Sequence, residues 1–275
     1  MKRLVLFLLF TAFVLALPSA FKRFTCGFKL AKMHIDLPFR PDWEVAPSLS
    51  REDLNAILDQ PFSYLDKGAQ CYVFQSGDER HVVKLFRYDQ PHIIRHKKTS
   101  VEWKREKLFS ACLLAYQKAR EETGLVYLHL NVTRGEVPIL HAKGPIGQTL
   151  HFHLDRYRFA IQKKAQPFRA SLLEAYHSSD KDALPRLIDS FVSVLSSRLG
   201  KGIGNSDPTV SRNFGFLEGK AVEIDFGNYY VHPPTIDEMH RYTHRLRRWL
   251  KHHAPEWVSY LDEKVKQCEN TSFSS

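Results

Sequence analysis

From Phe62 to Phe86 the chain runs in short, largely apolar stretches broken by turn residues. Phe62–Leu65 and Cys71–Gln75 flank Asp66-Lys67-Gly68-Ala69-Gln70, and Ser76-Gly77-Asp78-Glu79 separates the second stretch from His81–Phe86. Strand-length runs bounded by such turns predict three adjacent antiparallel strands. The pattern becomes helical from about Ser100 to Glu122, where Leu108, Cys112, Ala115 and Ala119 recur on one face and Gly124 supplies the stop. Further strands are expected over 125–130, 137–140 and 151–161. Helical spacing then dominates, over Ala170–Tyr176, Ala183–Leu199, Thr235–His253 and Pro255–Cys268; Ile188, Phe191, Leu195 and Leu199 share a face of the second of these. A short hairpin interrupts them, Phe214–Leu217 and Ala221–Ile224 around a turn at Glu218-Gly219. Ahead of the first strand, Ser50, Asp53 and Ala56-Ile57-Leu58 predict a short capped helix. The order is a strand-rich half with one inserted helix, then a helix-rich half holding a hairpin, which is an α+β class.

The first residues follow a different rule. Lys2-Arg3 precede an apolar run from Leu4 to Leu17 that only Thr11 interrupts, and Lys22-Arg23 close it. Either a signal anchor or a cleaved signal peptide has this form. Lys22, Arg23, Lys29, Lys32 and Arg40 lie downstream with few basic residues upstream, which favours an anchor with a cytoplasmic body over an exported one. Residues 22–47 are basic and proline-containing, and are expected to be a juxtamembrane linker.

A chain of 275 residues with 43% hydrophobic and 25% charged residues can bury a sizeable core. Its formal net charge of +10 points to anionic partners such as phosphates or a lipid surface. Arg241, Arg245, Arg247, Arg248 and Lys251 share a helix with His240, His244, His252 and His253; the expected role is a solvated basic face, with anionic docking second. Arg95-His96-Lys97-Lys98 is also expected to be solvated. Neither stretch interleaves aromatics as a nucleic-acid platform does. Cys26, Cys71, Cys112 and Cys268 have no zinc spacing and no disulfide framework. Asn131-Val132-Thr133 matches a glycosylation sequon.

The candidate chemistry lies between Asp207 and Gly227. Asp207 is followed six residues later by Asn213, then by the hairpin, then by Asp225-Phe226-Gly227. This spacing can gather three oxygen-bearing side chains around a metal-bound phosphate. Upstream, Val82-Val83-Lys84 ends an apolar strand with a lysine eleven residues after Val73, and Glu102 and Glu106 lie one turn apart on the following helix.

On these residues the chain resembles the protein-kinase-like superfamily, the fold shared by protein kinases, aminoglycoside phosphotransferases and lipopolysaccharide kinases. The resemblance covers about Phe62 to Tyr230. It implies a bilobal fold, with a small antiparallel-sheet lobe with one helix over 61–165 and a reduced helical lobe over 166–275, behind residues 1–21 and the segment 22–60. It implies ATP and Mg2+ as cofactors. Lys84 then holds the α- and β-phosphates, Glu106 orients Lys84, Gly68 belongs to the phosphate loop and Val73 packs on adenine. Asp207 positions the acceptor hydroxyl, and Asn213 and Asp225 bind the metal. The sequence departs from the family at Asp66 and Cys71, where glycines are usual, at Asn205-Ser206 before Asp207, at Thr209, and in the extra residue before Asn213. The implied activity is phosphate transfer from ATP to a hydroxyl on a small molecule, lipid, glycan or protein. The alternative is a pseudokinase that binds a nucleotide or a partner. For each residue there is an ordinary alternative: a strand-edge lysine, a solvated glutamate, or a polar loop turned by Pro208.

Overall fold

The computed structural model describes residues 2–34, 37–88, 99–233 and 235–272. The stretch Arg95–Lys98 and the side chain of Glu102 lie outside the described residues. In chain order the elements are α1 (Lys2–Phe24), α2 (Arg51–Leu58), β1 (Phe62–Lys67), β2 (Cys71–Ser76), β3 (His81–Phe86), α3 (Thr99–Lys118), α4 (Arg120–Thr123), β4 (Leu125–His129), β5 (Ile139–Lys143), β6 (Thr149–His153), β7 (Phe159–Lys163) and β8 (Gln166–Pro167). They continue with α5 (Phe168–His177), α6 (Ala183–Gly200), β9 (Ile203–Asn205), α7 (Val210–Asn213), β10 (Phe214–Leu217), β11 (Lys220–Glu223), β12 (Tyr229–Val231), α8 (Ile236–His253) and α9 (Val258–Ser272). The chain is of mixed α+β class and forms two compact units. The first comprises residues 1–44, 49–92 and 129–159, and the second 45–48, 93–128 and 160–275.

In the first unit β3, β2, β1, β5 and β6 are hydrogen-bonded neighbours in that order. The expected antiparallel β1-β2-β3 meander is present, with a bulge at Leu65 where the register slips between Tyr64 and Asp66. β1 also pairs in parallel with β5. Alternation along β2 buries Tyr72 and Phe74 and leaves Val73 half-exposed, as a strand with one covered face requires. Ser50 caps α2: its Oγ accepts from the Asp53 amide at 3.0 Å.

The segment expected to be a linker is packed. Phe28, Met33 and Trp43 are buried. The Phe28 ring lies 4.8 Å from Tyr72 and meets Phe74 edge-on at 6.1 Å. The Tyr72 hydroxyl donates to the Gly27 carbonyl and accepts from the Lys29 amide. The apolar residues here are too widely spaced to show a period, yet each fills a separate gap. Asn131, the sequon asparagine, is buried in a reciprocal pair with the Arg40 backbone, at 3.1 and 2.9 Å.

The strand expected over 151–161 is two strands, β6 and β7, broken at Leu154–Arg156. Asp155 causes the break. Its carboxylate takes the Thr133 hydroxyl and the amides of Gly135, Glu136 and Val137, which an extended strand could not offer it.

α1 is a 23-residue helix with Pro18 inside it. Among the described residues no helix is long and apolar enough to cross a membrane, so the anchor expected here has no support in the structure. Basic residues at both ends leave Leu4–Phe21 between them, 18 residues that include Thr11, Pro18 and Ser19.

The second unit packs around Phe168, Ile188, Phe191, Leu195, Phe214, Phe216, Met239, Leu246 and Leu261. Phe168 and Phe216 stack at 5.4 Å. The long helix expected over 100–122 is broken at Ala119, which leaves helical geometry, and α4 ends at Gly124 with φ +64°. β8, β10 and β11 form a three-stranded sheet, and β9 pairs with β12. Glu218 and Gly219, both at positive φ, make the β10–β11 turn the tight type that suits strand twist.

Candidate functional site

The second unit brings together Asp207, Asn213 and Asp225. β9 delivers the chain to Asn205, the loop 206–209 follows, and α7 supplies a single helical turn ending at Asn213. The Asn213 side-chain amide donates to the Asp207 carbonyl at 3.1 Å, while the Asn213 carbonyl accepts the amides of Ile224 at 2.6 Å and Asp225 at 3.3 Å. One residue therefore ties the loop start to the hairpin end. Asp207 also caps its own loop, its Oδ1 accepting the Thr209 amide at 3.0 Å. Partial burial pushes the Asp207 carboxyl up, but hydrogen bonds from Thr209 and Asn213 outweigh it and hold the group below the usual carboxylate range. Asp207 is thus an anion at neutral pH, suited to orienting a hydroxyl by accepting its hydrogen bond. Asp225 is half-buried, and its Oδ1 accepts the Gly227 amide at 3.3 Å.

Beneath this loop lies a buried polar network that the sequence reading missed. Asn205 is fully buried with every polar group used. Its amide donates to Glu238 at 2.9 Å, and its Nδ2 donates to Glu223 at 2.7 Å and to the Asp225 carbonyl at 3.3 Å. Its Oδ1 accepts the Asp207 amide at 2.9 Å, and its carbonyl accepts Tyr242 and Arg241. The Tyr242 hydroxyl also reaches the Asp207 carbonyl at 3.0 Å. Arg198, fully buried on α6, lies 3.0 Å from Glu223 and 2.8 Å from Glu238. The Tyr229 hydroxyl donates to Glu223 at 2.7 Å. Burial pushes the Glu223 carboxyl up, against the pull of Arg198, Tyr229 and Asn205. A signal for this network was present: Arg198, Glu223 and Glu238 each occupy a position in phase with apolar core neighbours.

Lys84, Val73 and Gly68 belong to the first unit. Val73 and Lys84 are direct cross-strand partners, so both point to one face of the β2–β3 ladder, and both are half-buried. Gly68 lies in a tight turn, its amide donating to the Cys71 carbonyl at 3.0 Å and its own carbonyl accepting Arg87 Nη1 at 3.2 Å. Its φ is not positive, and a Cβ there would meet Cys71 at 3.6 Å, an ordinary contact. Gly68→Ala should therefore change unfolding free energy by less than about 1 kcal/mol in urea titration. A larger loss would mean that the turn needs bare backbone. Glu106, in the second unit, is exposed on α3.

The basic helix α8 is only partly a solvated face. Arg247 makes a two-pronged pair with Asp262 at 2.8 and 2.9 Å, and His240 lies 2.9 Å from Glu269. Among the described residues no three His, Cys, Asp or Glu side chains gather in a metal-ready cluster.

No protein-family model matches the chain, and no curated protein matches it. Among solved structures it is similar to a medium-resolution structure of the bifunctional kinase-methyltransferase WbdD, with 14% identity over 72% of this chain and 43% of that one, at a TM-score of 0.41. A co-crystal structure of WbdD with the kinase inhibitor LY294002 gives 14% identity, 74% and 45% coverage, and a TM-score of 0.42. The chain thus spans less than half the length of the structures it is similar to.

Proposed function

We propose that the chain is a kinase-like protein that transfers phosphate from ATP to a hydroxyl acceptor. The observation that carries this reading is the double role of Asn213, which bonds Asp207 through its side chain and Asp225 through its backbone. In this reading Asp207 orients the acceptor hydroxyl. Asn213 and Asp225 would hold Mg2+; a carboxylate and an amide oxygen are the hard donors that Mg2+ takes beside substrate phosphates. The ion would neutralise charge developing on the transferred phosphoryl group. Lys84 and Val73, cross-strand partners on one face of the β2–β3 ladder, would meet the α- and β-phosphates and the base.

A second reading, a nucleotide- or partner-binding pseudokinase, draws on the Gly68 turn. Arg87 holds its carbonyl, and Asp66 and Cys71 put side chains on either side of Gly68 where bare backbone would close over phosphates.

The test is thermal unfolding with ATP, with and without Mg2+. A ligand at about a hundred times its Kd stabilises by about 2.7 kcal/mol, a rise of about 5 °C or more for a chain of this size. Asp225→Asn should abolish the Mg2+-dependent part of that rise. Release of labelled phosphate to an acceptor separates the two readings. A shift without turnover supports the nucleotide-binding pseudokinase, and no shift in either nucleotide condition overturns phosphate transfer and leaves only the partner-binding form of the second reading.

A further inference from the structure

The β5–β6 hairpin of the first unit carries a histidine pair that the proposed function does not use. His141 and His151 are directly opposite in the ladder, and their Nδ1 atoms approach to 2.8 Å on the exposed face. At that distance one ring carries its proton on Nδ1 and the other presents a lone pair to it. The backbone under the rings is fixed by an unbroken register from Ile139↔His153 to Lys143↔Thr149. The opposite face of both strands is buried through Leu140, Ala142, Leu150 and Phe152, so the platform cannot shift easily.

We propose that His141 and His151 form a two-histidine site for a borderline divalent cation such as Zn2+ or Ni2+. Two nitrogens bound at about 2.0–2.1 Å to one tetrahedral ion stand about 3.3 Å apart. The pair therefore needs to open by about half an ångström and turn both lone pairs toward the ion, while the donor ring changes tautomer, its Nδ1 proton passing to solvent as Nε2 takes one up, so that both rings bind as neutral imidazoles. Imidazole nitrogen is the donor these ions prefer, whereas Mg2+ and Ca2+ take oxygen. Lys143 lies on the same face, its ammonium held by the Thr149 hydroxyl at 2.6 Å. That positive charge disfavours an ion held by charge alone and leaves nitrogen coordination as the binding force. The site supplies two protein ligands; water or an external ligand completes the shell. It is thereby unlike a closed structural zinc site, which uses four.

The experiment titrates ZnCl2, and separately NiCl2, into the full chain, read by calorimetry and by thermal unfolding. The expected result is one equivalent bound and a rise in Tm that EDTA reverses. His141→Gln and His151→Gln should each weaken binding by about tenfold or more, with Tm in EDTA unchanged because both rings are exposed. His240→Gln, on α8, should leave the site intact. Absence of binding in the parent chain, or parent-like binding in both hairpin variants, overturns the proposal.

Discussion

Arg198→Met is expected to lower the unfolding free energy of the second unit by about 3–5 kcal/mol, measured by urea titration. The magnitude follows from what the substitution leaves behind. The Glu223 and Glu238 side chains are 1% and 4% exposed, and Arg198 is the cation between them. Their other hydrogen-bond partners are neutral: Tyr229 and Asn205 on Glu223, the Asn205 amide on Glu238; the one further cation is the half-exposed Arg241, at 3.9 Å from Glu238. Without the guanidinium, two carboxylates remain in a low-dielectric interior with hydrogen bonds but little opposite charge. The Ile203 carbonyl also loses its bond from Arg198 Nη1, and the rings of Tyr242 and Tyr229 lose a cation at 5.1 and 5.8 Å. Methionine fills most of the volume, so the loss reports charge rather than a cavity. Adding Glu223→Gln and Glu238→Gln to Arg198→Met should restore much of the stability, because an all-neutral cluster carries no stranded charge. Arg247→Met, at the solvent-facing pair with Asp262, is the control and should leave the urea midpoint in place. A loss below about 1 kcal/mol for Arg198→Met would show that the carboxylates are neutral in the folded protein and that the network is not an ionic one.

The elements of the fold were legible where one physical rule governed them. The β1-β2-β3 meander declared itself through turn residues at each end, and α6 and α8 through apolar stripes that pack inward. The β10–β11 hairpin was visible from Glu218-Gly219, the two positions at positive φ. What stayed hidden was built by contacts between distant parts of the chain. Residues 22–47 look like a linker because Phe28, Met33 and Trp43 have no common period, yet each docks separately. Asp155 breaks a strand by gathering amides some twenty residues away, from Gly135 to Val137. At the candidate site the order Asp207, Asn213, Asp225 was legible as a motif. The residues that place them were not, since Asn205 reads as a departure from a pattern while the folded chain uses it as a hub. A charged residue in phase with an apolar stripe, as Arg198 is between Leu195 and Leu199, is the sequence mark of such a hub.

Asn205→Asp is expected to be almost isosteric yet destabilising by about 3–5 kcal/mol at neutral pH, with a deficit that narrows as the pH falls. The native Nδ2 donates to Glu223 at 2.7 Å. In its place the variant sets a second acceptor against a buried carboxylate, a like-charge contact with no donor between. Burial and the Glu223 charge both raise the folded-state pKa of the introduced carboxyl above its unfolded value of about 3.9. A group raised in the folded state costs nothing below its unfolded pKa and an increasing amount as the pH climbs to the folded one. The gap in Tm between variant and parent should therefore be smaller at pH 5 than at pH 7. Comparing the two chains at each pH cancels the acid sensitivity they share, including that of Asp207, whose lowered pKa withdraws stability from both as the pH drops. Asn205→Ala removes the same donor without adding a charge, so its deficit should be nearly independent of pH over this range. If the two variants show the same pH-independent loss, no buried charge forms at position 205. Both substitutions also cut a tether of the candidate site, the alanine by losing the bonds to the Asp207 amide and the Asp225 carbonyl, the aspartate by losing the latter. A nucleotide- and Mg2+-dependent rise in Tm should accordingly shrink in both, and more in the alanine variant, where Asp207 loses its partner as well.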